Sequence, residues 1–506
     1  MTLEELVGER LMIGLPGASL TDDDVRLFRE TRAAGLILYR RNFESPAQLV
    51  AMLTALEEAL GRRLLVATDH EGGRVVMLGQ GTTIFPDNLA VASAGDVTYA
   101  RAQGRIEARE LRRLGVDLNL GPVLDVLTER YSPNIGIRSY GKDPQTVARF
   151  GLARIRASEA AGVACCVKHF PGKGHSPLDA HLWLPTIDST WDEMRAVHLM
   201  PFVEAIAAGV SCVMTSHPRY PALDPSGVPA TFSRRLVEDL LRHELAFRGV
   251  IVSDDLEMGA VGELTSIGDA TVRAAAAGHD LLLVCHTPDA QRAAHAALLD
   301  AYRTKALPLE ALEASAARAR ALRESRGARF DGGPPHAERD GEPLAMAMAA
   351  GAVTRLTPVP PHFSRRLNGS VAVVFPRFSD LAPRITIEPA LCDEAGYVKR
   401  AFGALGVSPD TFVVGIEPSA DEIDAAAAGA ARADATVLFL FDAHLYASNR
   451  RLLQAVTAAA LGRCAVVLLR DPYDTVLLPA GAVGITAYGF RRCQLDALIA
   501  RLLSGS

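Results

Sequence analysis

The sequence predicts an α/β chain of two domains, an N-terminal (β/α)8 TIM-like barrel and a smaller αβα sandwich with a mainly parallel sheet. Eight short apolar strands alternate with helical segments in the first part of the chain. Five more strands follow a polar segment rich in glycine and proline. Strands that alternate with helices form parallel βαβ units. Eight such units in roughly 300 residues are typical of a closed barrel.

Each predicted barrel strand is a run of apolar residues bounded by polar residues or glycine. In chain order the eight strands are Arg10–Leu15, Gly35–Tyr39, Leu64–Asp69, Val116–Leu120, Ala164–His169, Cys212–His217, Gly249–Asp254 and Asp280–His286. The clearest amphipathic helical segments between them are Ser45–Leu60, Tyr99–Leu114, Pro144–Ala161 and Ser233–Ala246.

The composition changes after Ala321, where a polar segment with several glycines and prolines predicts a linker. We expect the barrel domain at 1–325, the linker at 326–345 and the C-terminal domain at 346–506. The predicted strands of the last domain are Val371–Phe375, Phe412–Ile416, Ala435–Phe441, Ala465–Arg470 and Val483–Ala487, with helices at Ala420–Ala433 and Ser448–Ala460. No GxGxxG follows the first of these strands, so no nucleotide site is predicted there.

Composition and charge narrow the class of protein. Hydrophobic residues make up 49% and charged residues 22%, as in ordinary globular proteins. The formal net charge of −6 argues against a nucleic-acid partner. No apolar run is long enough to span a bilayer, and the acidic first residues are unlike a signal peptide. Seven cysteines without a CxxC indicate buried thiols in a reducing compartment. We therefore expect a cytoplasmic protein with no membrane partner.

Polar side chains cluster where the predicted barrel strands end, among them Asp69, Lys168, His169, His217 and Asp254. The carboxyl ends of barrel strands meet on one face, where barrel enzymes build their active sites. Strand ends also reach solvent, but solvent exposure alone favours Gly, Asn and Asp rather than His, Lys and paired Asp. The pattern predicts an active site on this face.

The densest stretch is the loop after the fifth strand, KHFPGKGHSPLDAHLWLP at 168–185, with His169, His175, Asp179 and His181. In a turn, the Asp179 carboxylate can bind one nitrogen of His181 and aim the other at a substrate, which suits acid–base catalysis. The alternative is a metal site, because three histidines and an aspartate can supply ligands. No HxH or HExxH occurs, and Lys168 and Lys173 add positive charge.

The second stretch is IVSDDLEM at 251–258, after the seventh strand. A carboxylate at Asp254 could attack an anomeric carbon and form a glycosyl ester. The alternative is a helix cap by Ser253 or Asp254. Two weaker signals are Asp69 in ATDHEGGR and Arg138 in NIGIRSYG, since both residue types bind hydroxyl groups but also form ordinary salt bridges.

These segments, in this order, resemble glycoside hydrolase family 3, and within it the exo-β-N-acetylglucosaminidases. The matching stretches are ATDHEGGRV, LGPVLDV, NIGIRSYG, KHFPGKG followed by LDAH, MTSHPRYPALD, PATFSRRL and FRGVIVSDDLEM. They cover roughly Met1–Arg320, and LLRDPYD and ITAYGF resemble the second domain of two-domain members. The resemblance implies a cytoplasmic β-N-acetylhexosaminidase of peptidoglycan recycling that acts on N-acetylglucosamine-containing saccharides or muropeptides.

The resemblance also implies the roles of individual residues. Asp254 matches the nucleophile, His181 the acid/base, and Asp179 the residue that orients His181. The residues that match holders of the terminal N-acetylglucosamine are Asp69, Arg138, Lys168 and His169. The resemblance also implies that no metal or other cofactor is needed. Because the His–Asp pair supplies the acid, we expect a structural or oligomeric role for the second domain.

One departure stands in the loop, where the family commonly reads KHFPGHG and this chain has Lys173. We expect Lys173 to alter the loop posture or the contacts beyond the first sugar. Three other functions stay open: a β-N-acetylglucosaminide phosphorylase on the same site, a metal-dependent hydrolase, and a sugar-binding protein without activity. The natural aglycone and the oligomeric state are not predicted.

Overall fold

The computed structural model describes residues 1–129, 131–176, 184–327, 341–358 and 366–504. Its first unit is built on a ring of eight parallel strands in which neighbours in the chain are neighbours in the sheet. The strands are Leu11–Gly14, Gly35–Leu38, Leu65–Thr68, Leu118–Asn119, Ala164–Phe170, Cys212–Thr215, Val250–Val252 and Leu282–Val284. All eight predicted barrel strands are confirmed, each within a few residues of its predicted ends.

The eighth strand and the residue before it close the ring through contacts with the first strand and the seventh. Leu11–Gly14 pairs with Leu282–Val284 through Met12 and Leu283. A bridge between Val252 and Leu281 joins the seventh strand to the residue before the eighth. The barrel interior is filled by alternate strand residues such as Ile37, Ala67 and Met214. This alternation explains the apolar runs of the strands, because one set of side chains fills the barrel and the other packs under the helices.

Helices follow most barrel strands. Those of ordinary α-helical geometry are Leu3–Gly8, Asp22–Thr31, Pro46–Leu60, Asn88–Ser93, Val97–Arg113, Pro144–Ala160, Trp191–Glu193, Met200–Ala207, Gly259–Gly262, Ile267–Ala277, Pro288–Arg303 and Leu309–Glu324. Met194–His198 and Arg235–Glu244 are π-helical. The start of Pro46–Leu60 shows why the sequence predicted it: Ser45 caps the first turn by accepting from the amide of Gln48, and Pro46 needs no partner for its missing N–H.

The second unit contains a six-stranded sheet that is parallel except at one edge. From that edge the order is Thr354–Arg355, Val483–Thr486, Cys464–Leu468, Ala435–Leu440, Val371–Pro376 and Asp410–Val414. The five predicted strands are confirmed. The edge strand Thr354–Arg355 was not predicted, because two residues carry no periodicity and only its pairing with Ile485 and Thr486 defines it.

Two layers of helix cover this sheet. Val373, Phe375 and Phe439 belong to one core cluster, which includes side chains of the helices Glu394–Gly403 and Arg492–Ser504. The alternate residues, such as Val374 and Leu438, belong to a second cluster with the helices Ala420–Arg432 and Ala447–Ala459. A further helix spans Glu342–Ala352. The predicted αβα sandwich is therefore confirmed.

Contacts divide the chain into two compact units that are not contiguous in sequence. The first comprises Met1–Glu71, Gln80–Thr83 and Ala100–Asp340, and the second comprises Gly72–Gly79, Ile84–Tyr99 and Gly341–Ser506. Hydrogen bonds hold the early segments in the second unit. Arg491 Nε donates to the Gly73 carbonyl and Thr386 Oγ1 to the Val76 carbonyl, each over 2.6 Å.

The sequence predicts buried thiols and no membrane-spanning segment. All seven cysteines lie in the described part of the chain and are free thiols; six are buried, and Cys392 is exposed. Within the described residues, no helix combines the length and the apolar character that a bilayer crossing requires.

Candidate active site

A buried ion cluster lies where the third and fifth barrel strands end. Asp69 directly follows the third strand, and Lys168 is near the end of the fifth. Lys168 Nζ donates to Asp69 Oδ1 over 2.5 Å and lies 2.7 Å from Glu71 Oε1. The Lys168 side chain is buried, whereas Asp69 keeps 17% of its side-chain surface. Burial would lower the pKa of the Lys168 ammonium, but Asp69 and Glu71 outweigh burial and raise it above its usual range.

Glu71 connects this cluster to Arg138. Nε and Nη2 of Arg138 donate to the two Glu71 oxygens over 2.8 and 2.7 Å, a bidentate pair. Burial would raise the pKa of the Glu71 carboxyl, but Arg138 and Lys168 hold it well below its usual range. Sequence reasoning assigned no role to Glu71. A glutamate two residues after the predicted third strand was the available signal, since a buried carboxylate needs a partner.

The guanidinium of Arg138 forms hydrogen bonds to two other residues of the site. Besides Glu71, its Nη1 donates to the main-chain and side-chain oxygens of Asn134 over 2.7 and 3.1 Å. The 3-10 turn Gly136–Arg138 places it there. The sequence predicts that the guanidinium of Arg138 can bind ligand hydroxyl groups. In the structure its Nε and Nη2 donate to Glu71.

We expect Glu71→Gln to destabilise the fold by about 3–5 kcal/mol, because it leaves the buried Arg138 and Lys168 short of a carboxylate. The pKa of Glu71 is lower in the folded than in the unfolded chain. Its stabilising contribution is therefore present above the usual value of 4.5 and lost as the pH falls through the folded pKa. Urea unfolding between neutral and acidic pH tests this, with the exposed Glu263→Gln as control. Equal stability of the two variants would contradict it.

A second pair fixes the loop that follows the fifth strand. His169 Nδ1 lies 2.7 Å from Asp125 Oδ2, and both side chains are buried. The other oxygen, Asp125 Oδ1, accepts the backbone N–H of Lys173 over 2.6 Å. Burial raises the pKa of Asp125 to about 6, against the opposing charge of Lys173. Asp125 thus orients the His169 ring and anchors the loop, a role that the sequence did not reveal.

Asp254 lies just beyond the seventh strand, Val250–Val252, and keeps 16% of its side-chain surface. The N–H of Asp255 donates to Asp254 Oδ1 over 3.0 Å. The helix-cap alternative is wrong. Ser253 Oγ accepts from the amide of Leu283 in the eighth strand, and the next helix begins only at Gly259.

Lys173 reaches Asp254 from the loop. Its Nζ lies 3.9 Å from Asp254 Oδ2, and its side chain is buried. Burial lowers the pKa of the Lys173 ammonium below its usual range, although Asp254 opposes the shift. The charges of Arg138, Asp125 and Lys168 also act on Lys173, so the groups around Asp69 and Asp254 form one electrostatic cluster. The loop departure noted in the sequence therefore falls beside the candidate nucleophile.

His217 holds the turn at Asp254 and Asp255 through a hydrogen bond to the main chain. Its Nε2 lies 3.0 Å from the Asp255 carbonyl and its Nδ1 2.6 Å from Thr231 Oγ1. Burial lowers the pKa of this ring, which favours the neutral form. A neutral ring can donate Nε2–H to the carbonyl and accept at Nδ1. His286 Nε2 lies 3.0 Å from Asp255 Oδ2, so both the main chain and the side chain of Asp255 are held. Asp255 is buried, whereas Asp254 keeps 16% of its side-chain surface.

The two remaining predicted residues, Asp179 and His181, lie outside the described residues. His175, on the described side of the loop, has its Nδ1 2.9 Å from Thr128 Oγ1. Within the described ranges, no group of three or more His, Cys, Asp or Glu side chains is arranged to hold a metal ion. The loop segment that prompted the metal alternative continues beyond those ranges.

The arrangement can do two things chemically. Asp69 presents a part-exposed carboxylate whose position is fixed by the buried Lys168 ammonium, as a site for hydroxyl groups requires. Asp254 presents a second carboxylate, held by an amide and close to an ammonium, as a nucleophile requires. Within the described ranges, Glu71 contacts both Lys168 and Arg138, and Lys168 also contacts Asp69. Asp125 contacts His169, and Lys173 lies close to Asp254.

Sequence comparison relates the first part of the chain to known proteins. Residues 2–322 match the family model described as the glycosyl hydrolase family 3 N-terminal domain. A β-hexosaminidase of Pseudomonas aeruginosa (strain UCBPP-PA14) is 39% identical over 292 residues, which are 57% of this chain and 86% of that protein. Beta-hexosaminidase A of Pseudoalteromonas piscicida is 36% identical over 311 residues, and the chain spans only 52% of its length.

A solved structure is similar along the entire chain. It is a glycoside hydrolase family 3 β-N-acetylglucosaminidase from Paenibacillus sp., with a TM-score of 0.93 and 31% sequence identity. The similarity covers 100% of this chain and 97% of that one, so it includes both the barrel and the second unit.

Proposed function

The chain belongs to glycoside hydrolase family 3, and we propose that it is a retaining exo-β-N-acetylglucosaminidase that removes terminal non-reducing β-N-acetylglucosamine from glycans. The observation that carries this proposal is the Asp254 carboxylate, which is part-exposed after the seventh strand and held by the Asp255 amide beside Lys173. The β-hexosaminidase relatives and the Paenibacillus structure support the choice of an N-acetylated sugar.

The proposed mechanism is a double displacement. Asp254 attacks C1 of the sugar as the bond from C1 to the leaving oxygen breaks, and His181 gives its proton to that oxygen. The product of this step is a glycosyl ester of Asp254. His181, now neutral, takes a proton from water, whose oxygen attacks C1 and releases Asp254 as a carboxylate. Two inversions leave the anomeric configuration unchanged.

The remaining residues have supporting roles in the proposal. Asp69 and Lys168 bind hydroxyl groups of the terminal sugar, and Arg138 and His169 complete its site. Asp179 orients His181. Burial and ion pairing already fix Lys168 and Arg138 before a sugar arrives, so little side-chain ordering is needed on binding.

The natural setting is part of the same proposal. We infer glycans or muropeptides from cell-wall turnover as substrates and the cytoplasm as the compartment, which the seven free thiols support. We also propose a catalytic domain at 1–325, a linker at 326–345 and a largely structural C-terminal domain at 346–506.

Hydrolysis of 4-nitrophenyl β-N-acetylglucosaminide by the full chain, beside the corresponding β-glucoside and with a chelator present, tests the activity. We expect preferential, chelator-insensitive release from the N-acetylated substrate. Proton NMR of the first-formed sugar should show the β anomer. The α anomer would overturn the retaining mechanism, and loss of activity with the chelator would revive the metal-dependent hydrolase. Binding without any turnover would favour a sugar-binding protein.

Lys173 offers a sharper test of the electrostatics. An ammonium within about 4–6 Å favours the ionised form of a carboxyl group by about one pKa unit or more. We expect Lys173→Met to move the acid limb of the kcat/KM profile to higher pH by about one unit and to lower the neutral rate. The exposed Lys142→Met is the matched control. An unchanged profile in the Lys173 variant would contradict the proposed role.

The same lysine favours a second candidate reaction, phosphorolysis. The buried ammonium of Lys173, close to Asp254, favours an anionic acceptor in place of water. Phosphate oxygen would then attack C1 of the glycosyl ester and release Asp254 together with a sugar 1-phosphate. Phosphorus NMR of reactions in phosphate buffer separates the two: a sugar phosphate supports phosphorolysis, and free sugar alone supports hydrolysis.

A further inference from the structure

The second unit contains a cavity of about 190 Å³. Four charged residues line it, Arg74, Arg384, Arg470 and Asp442, and all four belong to this unit. The lining itself carries three arginines against one aspartate, and Asp471, which is outside the lining, lies 3.7 Å from Arg470 Nη2. None of these residues has a part in the mechanism proposed above.

The cavity lies at the carboxyl ends of the parallel strands. Ile416, Asp442 and Arg470 in its wall each come two residues after a strand, namely Asp410–Val414, Ala435–Leu440 and Cys464–Leu468. The strands Val371–Pro376 and Ala435–Leu440 are neighbours, and the chain leaves them in opposite directions along the sheet. Doubly wound sheets bind ligands at such a point, outside the carboxyl ends of their strands.

Asp442 and Arg470 form the fixed part of the wall. Arg470 Nη1 donates to Asp442 Oδ2 over 2.6 Å, and Asp442 is 5% exposed. The backbone of Asp442 has a φ of +28°, in the left-handed region that only a few side chains tolerate. Strained residues of this kind persist where the surrounding structure holds them, often at binding sites. Within the described residues, the buried Arg470 Nε has no hydrogen-bond partner.

Arg384 is the accessible cation of the wall. Its side chain is exposed, and no carboxylate of the described part of the chain forms an ion pair with it. A guanidinium in this state can bind a carboxylate or a phosphate through two parallel hydrogen bonds.

The rest of the wall is apolar and aromatic. Phe441 and Phe490 are both buried and meet edge to face with ring centroids 5.5 Å apart. Ile385 and Ile416 also line the cavity. Pockets for small molecules combine such apolar walls with a few polar groups that fix the orientation of the ligand.

We propose that this cavity binds a small organic anion, a carboxylate or a phosphate monoester carried on a compact apolar or ring-shaped body. The anionic group binds Arg384 and Arg470, and the body packs against Phe441 and Phe490. The cavity of about 190 Å³ is several times the roughly 30 Å³ that one water molecule occupies, so it has room for one compact ligand. This inference does not depend on the glycosidase activity, because no residue of the wall takes part in that mechanism.

Calorimetric titration of the full chain with benzoate, phenyl phosphate and the neutral benzyl alcohol tests the site. We expect both or one of the anions to bind and benzyl alcohol not to bind; the stronger anion identifies the headgroup. Arg384→Gln should weaken anion binding by about tenfold or more, because it removes the charge-assisted hydrogen bonds of the guanidinium. Arg384→Lys should keep part of the affinity, since it keeps the charge.

Arg432→Gln is the matched control, because Arg432 is an exposed arginine of the same unit that does not line the cavity. No binding of either anion would overturn the proposal, and so would equal weakening by Arg384→Gln and Arg432→Gln. Binding is measured without turnover, so an inactive glycosidase site would not affect the result. Thermal unfolding of the variants checks that Arg384→Gln remains folded.

Discussion

Asp254→Ala is expected to reduce hydrolysis of 4-nitrophenyl β-N-acetylglucosaminide by about 10⁴-fold or more, the usual order for loss of a nucleophile. The variant keeps His181 for protonation of the leaving group but has no oxygen to attack C1. Added azide should restore turnover, because a small anion can enter the space that the carboxylate leaves. Attack from that side inverts C1 once and gives the α-glycosyl azide, which NMR identifies.

The control for Asp254→Ala is Asp289→Asn, since the Asp289 side chain is 98% exposed. It should retain full activity. Rapid hydrolysis by Asp254→Ala without azide would rule out Asp254 as the nucleophile. A β-azide product would assign the residue to acid/base chemistry instead.

His181→Ala is expected to show a defect that depends on the leaving group. Loss of a general acid costs about 10²–10⁴-fold when the leaving oxygen needs a proton. 4-Nitrophenolate leaves without one, so the first step with that substrate should slow far less than with an unactivated disaccharide. Azide should accelerate the second step, because it needs no base, and the product should be the β-glycosyl azide.

His175→Ala serves as the control on the same loop, since His175 contacts Thr128 rather than the ion cluster. Comparison of 4-nitrophenyl and disaccharide substrates in both variants separates the two histidines. An equal loss on both substrates in His181→Ala would contradict a role in protonation. Asp179→Asn should show the same dependence of the activity loss on the leaving group as His181→Ala, since Asp179 acts through the His181 ring.

The fold was predictable because it rests on local pattern. The seventh strand, Val250–Val252, is an apolar run that follows a glycine, and the fifth, Ala164–Phe170, begins with an apolar run that ends before Lys168. The assignment of 72–79 and 84–99 to the second unit was not predictable. It depends on hydrogen bonds such as that from Arg491 to Gly73, which join residues 418 positions apart.

The residues proposed to bind the ligand were predictable from the sequence, and the residues that support them were not. Asp69, Lys168 and Asp254 stand at strand ends, where the barrel geometry alone brings them to one face. Glu71 and Asp125 are supports whose partners lie 67 and 44 positions away in the chain. Lys173 was expected to affect loop posture, and its approach to Asp254 depends on how the loop folds back.

The sequence alone therefore determined the order of strands and helices, the barrel and sandwich, and the strand-end residues from which the site is proposed. These follow from periodicity and from motifs within short stretches of chain. The tertiary structure alone decided which buried charges pair, where Lys173 points, and that a cavity with arginines lies at the carboxyl edge of the second sheet. Those features depend on distances between residues that are far apart in the chain, and a linear pattern does not contain them.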